Sequence, residues 1–427
     1  MSIKRHSMVI DASGDFHRLW VGQGLASLGT QVTALVLPLT AIVLLHARPG
    51  TVGMLGALLW LPFVALSLPV GVAVDRLARR PFLVVGDAVR AAALGAIVWL
   101  AASGHLTVPL LLPLAALCGC GAVLFELAYP AYVPGLVAAT SASRPLTLME
   151  ANTRLEGAAK GAQLGGPVAA GLLVQLLTAP AALLLTAASF LASAVTLSAI
   201  QSPEAARPAS ASRPGADLRE GIRVVLSQPY LRALVPVSAS YNLFSEWILT
   251  VYLVYAVRVL QLPPLLIGLT LAGGTAGALA GALSAEAACR RFGLGASFLA
   301  VVILECCAGL LVPLAPAHSP WTLPLLMGAF GVMDFGASLS GVIALSVRQA
   351  VTPPRQLGRM TACYRMMSYG TIPVGAAAGG WVANGLGVGP GLAIGAVALL
   401  TTIAWAARSP LTHVRHLVDL PAPADPS

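Results

Sequence analysis

The stretch GVAVDRLARRP, residues 71–81, ends a long apolar run in a burst of charge, and a second apolar run begins directly after it. No charged residue lies between Arg48 and Asp75, and beyond Pro81 only Asp87 and Arg90 interrupt the apolar sequence before His105. A short charged corner joining two membrane-crossing helices has this form. Asp75 precedes Arg79 by four residues. On a continuous helix that puts carboxylate and guanidinium on one face and turns Arg76 and Arg80 towards water or lipid headgroups.

A second, weaker copy follows. In AEAACRRFG, Glu286 precedes Arg290 and Arg291 by four and five residues, as Asp75 precedes Arg79 and Arg80, and it lies 211 residues after Asp75. MEANTR at 149–154 and MTACYR at 360–365 share Met, Ala and Arg at the same separation of 211. Two unrelated stretches that report one period near half the chain length are what a duplicated half produces. PVAAG from Pro167 and PVGAA from Pro373 agree after a small gap.

Composition sets the class. The 427 residues are 57% hydrophobic and 10% charged, with a mean hydropathy of +0.85, whereas soluble domains carry about a quarter charged residues. A polytopic membrane protein is expected, and at about twenty residues per span the length holds around twelve helices. The net charge of +9 does not point to nucleic acid, because the basic residues sit at the ends of apolar runs. With both termini in the cytoplasm, only Arg48 and Arg258 fall outside, and Arg90, Arg154, Lys160 and Arg365 fall within spans. This asymmetry predicts N-in, C-in. The six cysteines show no metal or disulfide spacing, and the N-terminus shows no removable signal.

The expected organisation is an N-terminal tail over 1–18, six spans within 19–200, a linker over 201–230, six spans within 231–407, and a disordered tail over 408–427. The spans are placed at 19–45, 51–74, 82–102, 108–129, 148–177, 181–200, 233–257, 265–285, 296–314, 321–347, 360–383 and 391–407. In the linker, Asp217 with Glu220 makes a capping-box pattern. Leu218, Ile222 and Val225 then share a face opposite Arg219 and Arg223, which predicts an amphipathic surface helix.

Gly71, Asp75, Arg76, Arg79 and Arg80 together resemble the G-x-x-x-D-R-x-x-R-R hallmark of the major facilitator superfamily. That resemblance implies an all-α integral membrane fold of twelve transmembrane helices in two pseudo-symmetric six-helix halves. It further implies that spans one, four, seven and ten line a central cavity. Gly161, Gly165, Gly166, Pro167 and Gly171 resemble the G-x-x-x-G-P motif in the fifth span of the superfamily's proton-coupled exporters. Small residues at four-residue spacing permit close helix approach, and Pro167 removes a backbone hydrogen bond. DLREGIRVVLSQPYLRAL and SVRQAVTPPRQLGR look like the macrolide-efflux and enterobactin-exporter branch. Two departures stand out: the second corner lacks the adjacent acid and base of the first, and Glu126 occupies a position usually uncharged in that branch.

The chain contains no nucleotide-binding loop, no H-E-x-x-H and no G-x-S-x-G, so neither ATP-driven transport nor an enzyme is expected. What remains is a few ionisable groups in the bilayer, each costly unless it faces a cavity or a partner. Glu126, Glu246 and Asp334, on spans four, seven and ten, are the candidates for proton coupling and substrate contact, with Asn242 and Gln31 beside them. The alternative is that each is tied to a neighbouring Arg or backbone group and only shapes the core. Tyr241, Phe244, Trp247, Phe125, Tyr129 and Phe330 are candidate pocket aromatics, although aromatics at helical spacing commonly serve packing. Asp87 and Arg90, three apart, read as a structural pair. Arg154 and Arg365 occupy equivalent places in the two halves and, with Glu286, Arg290, Arg291 and the first corner, form a candidate cytoplasmic gate; helix-end snorkelling is the alternative. Glu305, on a span that the resemblance makes a supporting one, ranks last.

The function expected is proton-coupled export of a small amphipathic compound of the drug, antibiotic or siderophore type. The setting would be the bacterial cytoplasmic (inner) membrane, with a monomer in the lipid bilayer, no cofactor and the proton gradient as energy source. Uptake or facilitated diffusion on the same fold, and a non-transporting receptor, are the alternatives.

Overall fold

A computed structural model describes residues 12–139, 147–202, 204 and 214–420. Among these the chain forms fifteen α-helices: α1 Ala12–Val43, α2 Pro49–Arg76, α3 Arg80–Ala102, α4 Val108–Ala139, α5 Leu148–Leu176, α6 Ala179–Ser198, α7 Pro214–Ser227, α8 Pro229–Arg258, α9 Pro264–Phe292, α10 Leu294–Gly309, α11 Thr322–Val351, α12 Leu357–Tyr369, α13 Ile372–Leu386, α14 Val388–Leu399 and α15 Thr401–Ala407. They make twelve crossing units: α12 with α13 forms the eleventh, α14 with α15 the twelfth, and α7 lies between the sixth and seventh. Seven of the described helices by themselves, and α14 with α15 taken as one, are long and apolar enough to span a bilayer. The rest show why hydropathy alone undercounts: α5 carries Arg154, Glu156 and Lys160, α8 carries Glu246, α10 is short, and the eleventh unit is broken. Pro373 explains that break, since it cannot donate to Tyr369 four residues back. Thr371 instead ties the gap to α8 by donating to the Ala239 carbonyl at 2.8 Å.

The same packing scheme appears twice. In the first half α1 packs on α5 and α6, α4 on α2 and α3, and α3 on α6. In the second, α8 packs on α13 and α14, α11 on α9 and α10, and α10 on α15. The two main contacts between halves, α2 with α13 and α5 with α9, are exchanged by that same correspondence, as a pseudo-twofold axis requires.

The opening corner departs from expectation. α2 ends at Arg76 and Leu77 is extended, at φ −110° and ψ 167°, so Asp75 and Arg79 do not share a helix and make no ion pair. Arg79 is buried, while Asp75 and Arg76 are exposed. Arg80 is half-buried and donates to the carbonyls of Leu197, at 3.1 Å, and Ser198 at the end of α6. The free N–H groups that begin α3 need acceptors. Glu204 supplies them, taking the Arg79 and Arg80 amides at 2.7 Å each. Buried Asp15 likewise accepts from the Gln201 and Ser202 amides at 3.1 and 2.8 Å.

The linker helix α7 lies where the pattern places it. Val225 is fully buried, Leu218 and Ile222 pack on the core, and Arg219 and Arg223 are exposed. Glu220 pairs with Arg359 of α12 at 2.5 Å, whereas the Asp217 side chain lies outside the described residues. The expectation of a disordered tail from residue 408 is wrong as far as residue 420. Leu411 is fully buried, and the carbonyls of Arg415 and Val414 accept the first amides of α10, from Leu294 and Gly295, at 2.9 Å each. Gly295 has no side chain to hold that segment off.

Candidate transport site

The close contacts between halves lie between mid-bundle and the end remote from the chain termini. There Gly53 of α2 meets Ala376 and Gly380 of α13, and Gly171 of α5 meets Pro264 and Leu265 at the start of α9. The Pro167 carbonyl sits on Gly268, and Arg258 donates to the Ala47 carbonyl at 2.7 Å. Gly166, Pro167 and Gly171 of the fifth-span motif therefore serve close packing, with Gly166 seated on Gln31, but Gly161 and Gly165 face open space. Towards the terminal end α5 exposes Asn152, Thr153, Arg154, Glu156 and Lys160, and α9 exposes Leu283, Glu286 and Phe292. Polar residues bared along an inter-half helix mark the side on which the bundle is open.

Glu246 sits just below the remote contact. Its Oε1 and the Thr250 hydroxyl face Gly56 of α2, where a Cβ would lie 3.9 and 3.6 Å from them. The side chain is half-buried and makes no ion pair or side-chain hydrogen bond among the described residues. Asp334, also half-buried and without such a partner, lies against Gly274 of α9, where a Cβ would meet its Oδ2 unless the carboxyl turned aside. Neither acid is clamped by a base.

Glu126 occupies a different place. It is exposed to a cavity of about 160 Å³ in the first half, lined also by Thr30, Trp60, Phe63, Arg90 and Phe190. Arg90 is 4% exposed and pairs with fully buried Asp87, as its sequence spacing predicts. It also donates to Thr30 at 3.0 Å and lies between the Phe190 and Phe125 rings, at 4.3 and 5.0 Å. Ser193 donates to the second Asp87 oxygen at 2.5 Å.

Several candidate pocket residues are occupied elsewhere. The Asn242 amide donates to the carbonyl and hydroxyl of Ser368 at 3.1 and 3.0 Å. Trp247 is a correction: it is buried, seated on Gly379 and Gly395, and donates to the Gly391 carbonyl at 2.9 Å, so it locks the second half. Phe330 is buried against Tyr252, centroids 4.8 Å apart. Phe125 is buried and stacks on Tyr129 at 6.0 Å, holding Arg90 in place. Tyr241 and Phe244 remain half-buried. Of the candidate gate residues, Glu286, Arg290 and Arg291 are exposed at the open end. Arg365 lies over the Phe63 and Tyr369 rings, at 5.5 and 5.4 Å. The backbone carbonyl of Arg154 accepts from Trp20 at 3.1 Å.

Sequence reasoning ranked Glu305 last, yet it is 2% exposed with Oε2 unpartnered. Its isolation inside an apolar run was the available signal. Trp60 and Phe63 carried none, since nothing in their spacing distinguishes them from packing residues.

Two symmetry-related helical halves, with the unpaired acid Glu246 where they meet and Asp334 inside the second half, have the architecture of a membrane transporter. Residues 12–422 match a family of the major facilitator superfamily described as transmembrane secretion effectors. The chain belongs to that family. No curated protein sequence matches it. Its fold matches crystal structures of the nucleoside transporter NupG, at TM-score 0.76 and 10% identity over 92% of this chain and 98% of that one. It also matches a bacterial homologue of the iron transporter ferroportin in an inward-facing state, at TM-score 0.70 and 18% identity over 92% and 99%. A bacterial homologue of the human lysosomal transporter Spinster, inward-facing and occupied, matches at TM-score 0.70 and 13% identity over 97% and 99%. Identities this low establish the fold alone.

Proposed function

We propose that this protein exports a small amphipathic compound by alternating access, driven by a proton gradient across a bacterial cytoplasmic membrane. The observation that carries the proposal is Glu246: a carboxylate without a counter-charge, set at the meeting of the halves beneath the contact that closes one end. The basic-residue asymmetry makes the terminal end cytoplasmic, so this conformation reads as inward-open. When α2 separates from α13, Glu246 faces the outside and takes a proton, which removes the electrostatic hold on a bound cationic or polar group. When the remote end closes, the proton leaves to the cytoplasm and affinity returns. Asp334 follows the same cycle in α11. The cavity of Glu126, Trp60 and Phe63 suits a compound with an apolar body and a polar end. The family's description as secretion effectors, together with the fifth-span motif, favours export over uptake.

Energised everted membrane vesicles and a panel of fluorescent amphipathic dyes test this proposal. Wild type should accumulate at least one dye under an imposed pH gradient, and Glu246→Gln should abolish that accumulation with membrane insertion unchanged. Full gradient-driven accumulation by the Glu246→Gln, Asp334→Asn double variant would reject the role given to these acids.

A further inference from the structure

The cavity in the first half carries one unspent charge. Thr30 donates to the Ala26 carbonyl at 2.8 Å and accepts from Arg90, and Thr33 donates to the Gly29 carbonyl at 2.7 Å. Arg90 is neutralised by Asp87 and held between two phenylalanine rings, and its one unpartnered nitrogen, Nε, is itself buried. Glu126, the other charged residue of the lining, is exposed and has no ion pair or side-chain hydrogen bond among the described residues. Trp60 and Phe63 line the same cavity, edge to face, with centroids 6.3 Å apart and planes at 70°. Arg365 of the second half, over the Phe63 ring at 5.5 Å, does not line the cavity and makes no ion pair with Glu126. It does show that the Phe63 ring takes a cation.

A carboxylate beside two aromatic rings attracts a cation and repels an anion, since the faces of the rings are themselves the negative ends of their quadrupoles. Size sets a second limit. About 160 Å³ is the share of roughly five waters at ~30 Å³ each, whereas sites that enclose a whole drug-sized ligand begin near ~300 Å³. Only one end of an amphiphile fits. We propose that this cavity is a headgroup site for the compact, singly charged cationic end of an amphiphile, a quaternary or protonated amine, with Glu126 as the residue that selects its charge. The apolar body of the compound then lies outside the cavity. Glu126 and Glu246 divide the work: Glu126 reads the cargo, and Glu246 carries the proton. This names the class of compound for the export proposed above, and it rests on that reading for transport but not for binding.

Calorimetric titration of the purified full-length protein in a neutral maltoside detergent tests the proposal with three octyl-chain probes. Octyltrimethylammonium carries the compact cation, octyldimethylamine N-oxide a head of similar size without net charge, and octyltributylammonium the same charge on a head too large for the cavity. Wild type should bind the trimethylammonium probe about tenfold or more tighter than the N-oxide, and tighter than the tributylammonium probe. Glu126→Gln should bring the affinities for the trimethylammonium probe and the N-oxide together by weakening the first. Survival of the charge preference in Glu126→Gln, or its loss in Glu246→Gln in place of Glu126→Gln, would overturn the proposal. Equal affinity of wild type for the small and large ammonium heads would also overturn it, and that comparison needs no variant to fold. The titration involves neither gradient nor flux. Dye accumulation in vesicles without a cation preference here would reject the headgroup site and leave export standing, whereas the preference without any accumulation would reject export and leave the site.

Discussion

Gly53→Ala should prop the remote end of the transporter open. A Cβ at residue 53 would run into the Ala376 carbonyl and come 2.8 Å from the Gly380 Cα and 3.1 Å from the Gly380 amide nitrogen. All three are backbone atoms, so no rotamer change relieves the clash, and α2 must move away from α13. Overpacking a tight contact costs about 1–3 kcal/mol, and here the cost falls only on the state in which those helices touch. The equilibrium between closed and open remote ends should therefore shift towards open by roughly 5- to 150-fold. Spin labels on exposed Leu176 and Leu386, at that end of the two halves and with exposed Cys307 replaced, would report the shift as a longer distance distribution. Gly24→Ala is the control, because a Cβ there meets nothing within 4 Å. An unchanged distribution in a well-folded Gly53→Ala protein would refute the claim that this contact closes the remote end.

Gly171→Ala, which meets the backbone of Pro264 and Leu265, should act in the same direction through α5 and α9, while Gly161→Ala and Gly165→Ala should leave the distance distribution unchanged. Asp87→Leu leaves Arg90 buried without its partner and should destabilise the protein by about 3–5 kcal/mol. The Asp87→Leu, Arg90→Leu double variant should melt higher than that single variant. Leu411→Ala empties a fully buried site under α10 and should cost about 2–5 kcal/mol, seen as a lower melting temperature; no change would mean that the tail does not pack. Glu204→Gln replaces the charged acceptor of the Arg79 and Arg80 amides and should lower stability by about 0.3–1 kcal/mol, with a small fall in melting temperature.

The sequence by itself determined the membrane class, the duplication and the linker helix, because each rests on a property that reads along the chain: apolar length, a repeated spacing of 211 residues, and a 3.6-residue period. It also determined the Asp87 and Arg90 pair, which a single turn of helix brings together. Tertiary structure decided the rest. Leu77 breaks the helix that would have joined Asp75 to Arg79, and Glu204, 125 residues beyond Arg79, caps α3 in their place. Trp247 and Glu246 are neighbours in sequence, yet the tryptophan is closed in by Gly379 and Gly395 while the acid faces Gly56 of the other half. Glu305 is buried because α11 brings Gly336 against it. Whether an acid in an apolar helix is paired, solvated or stranded depends on which distant residues surround it, and chain packing alone sets that neighbourhood.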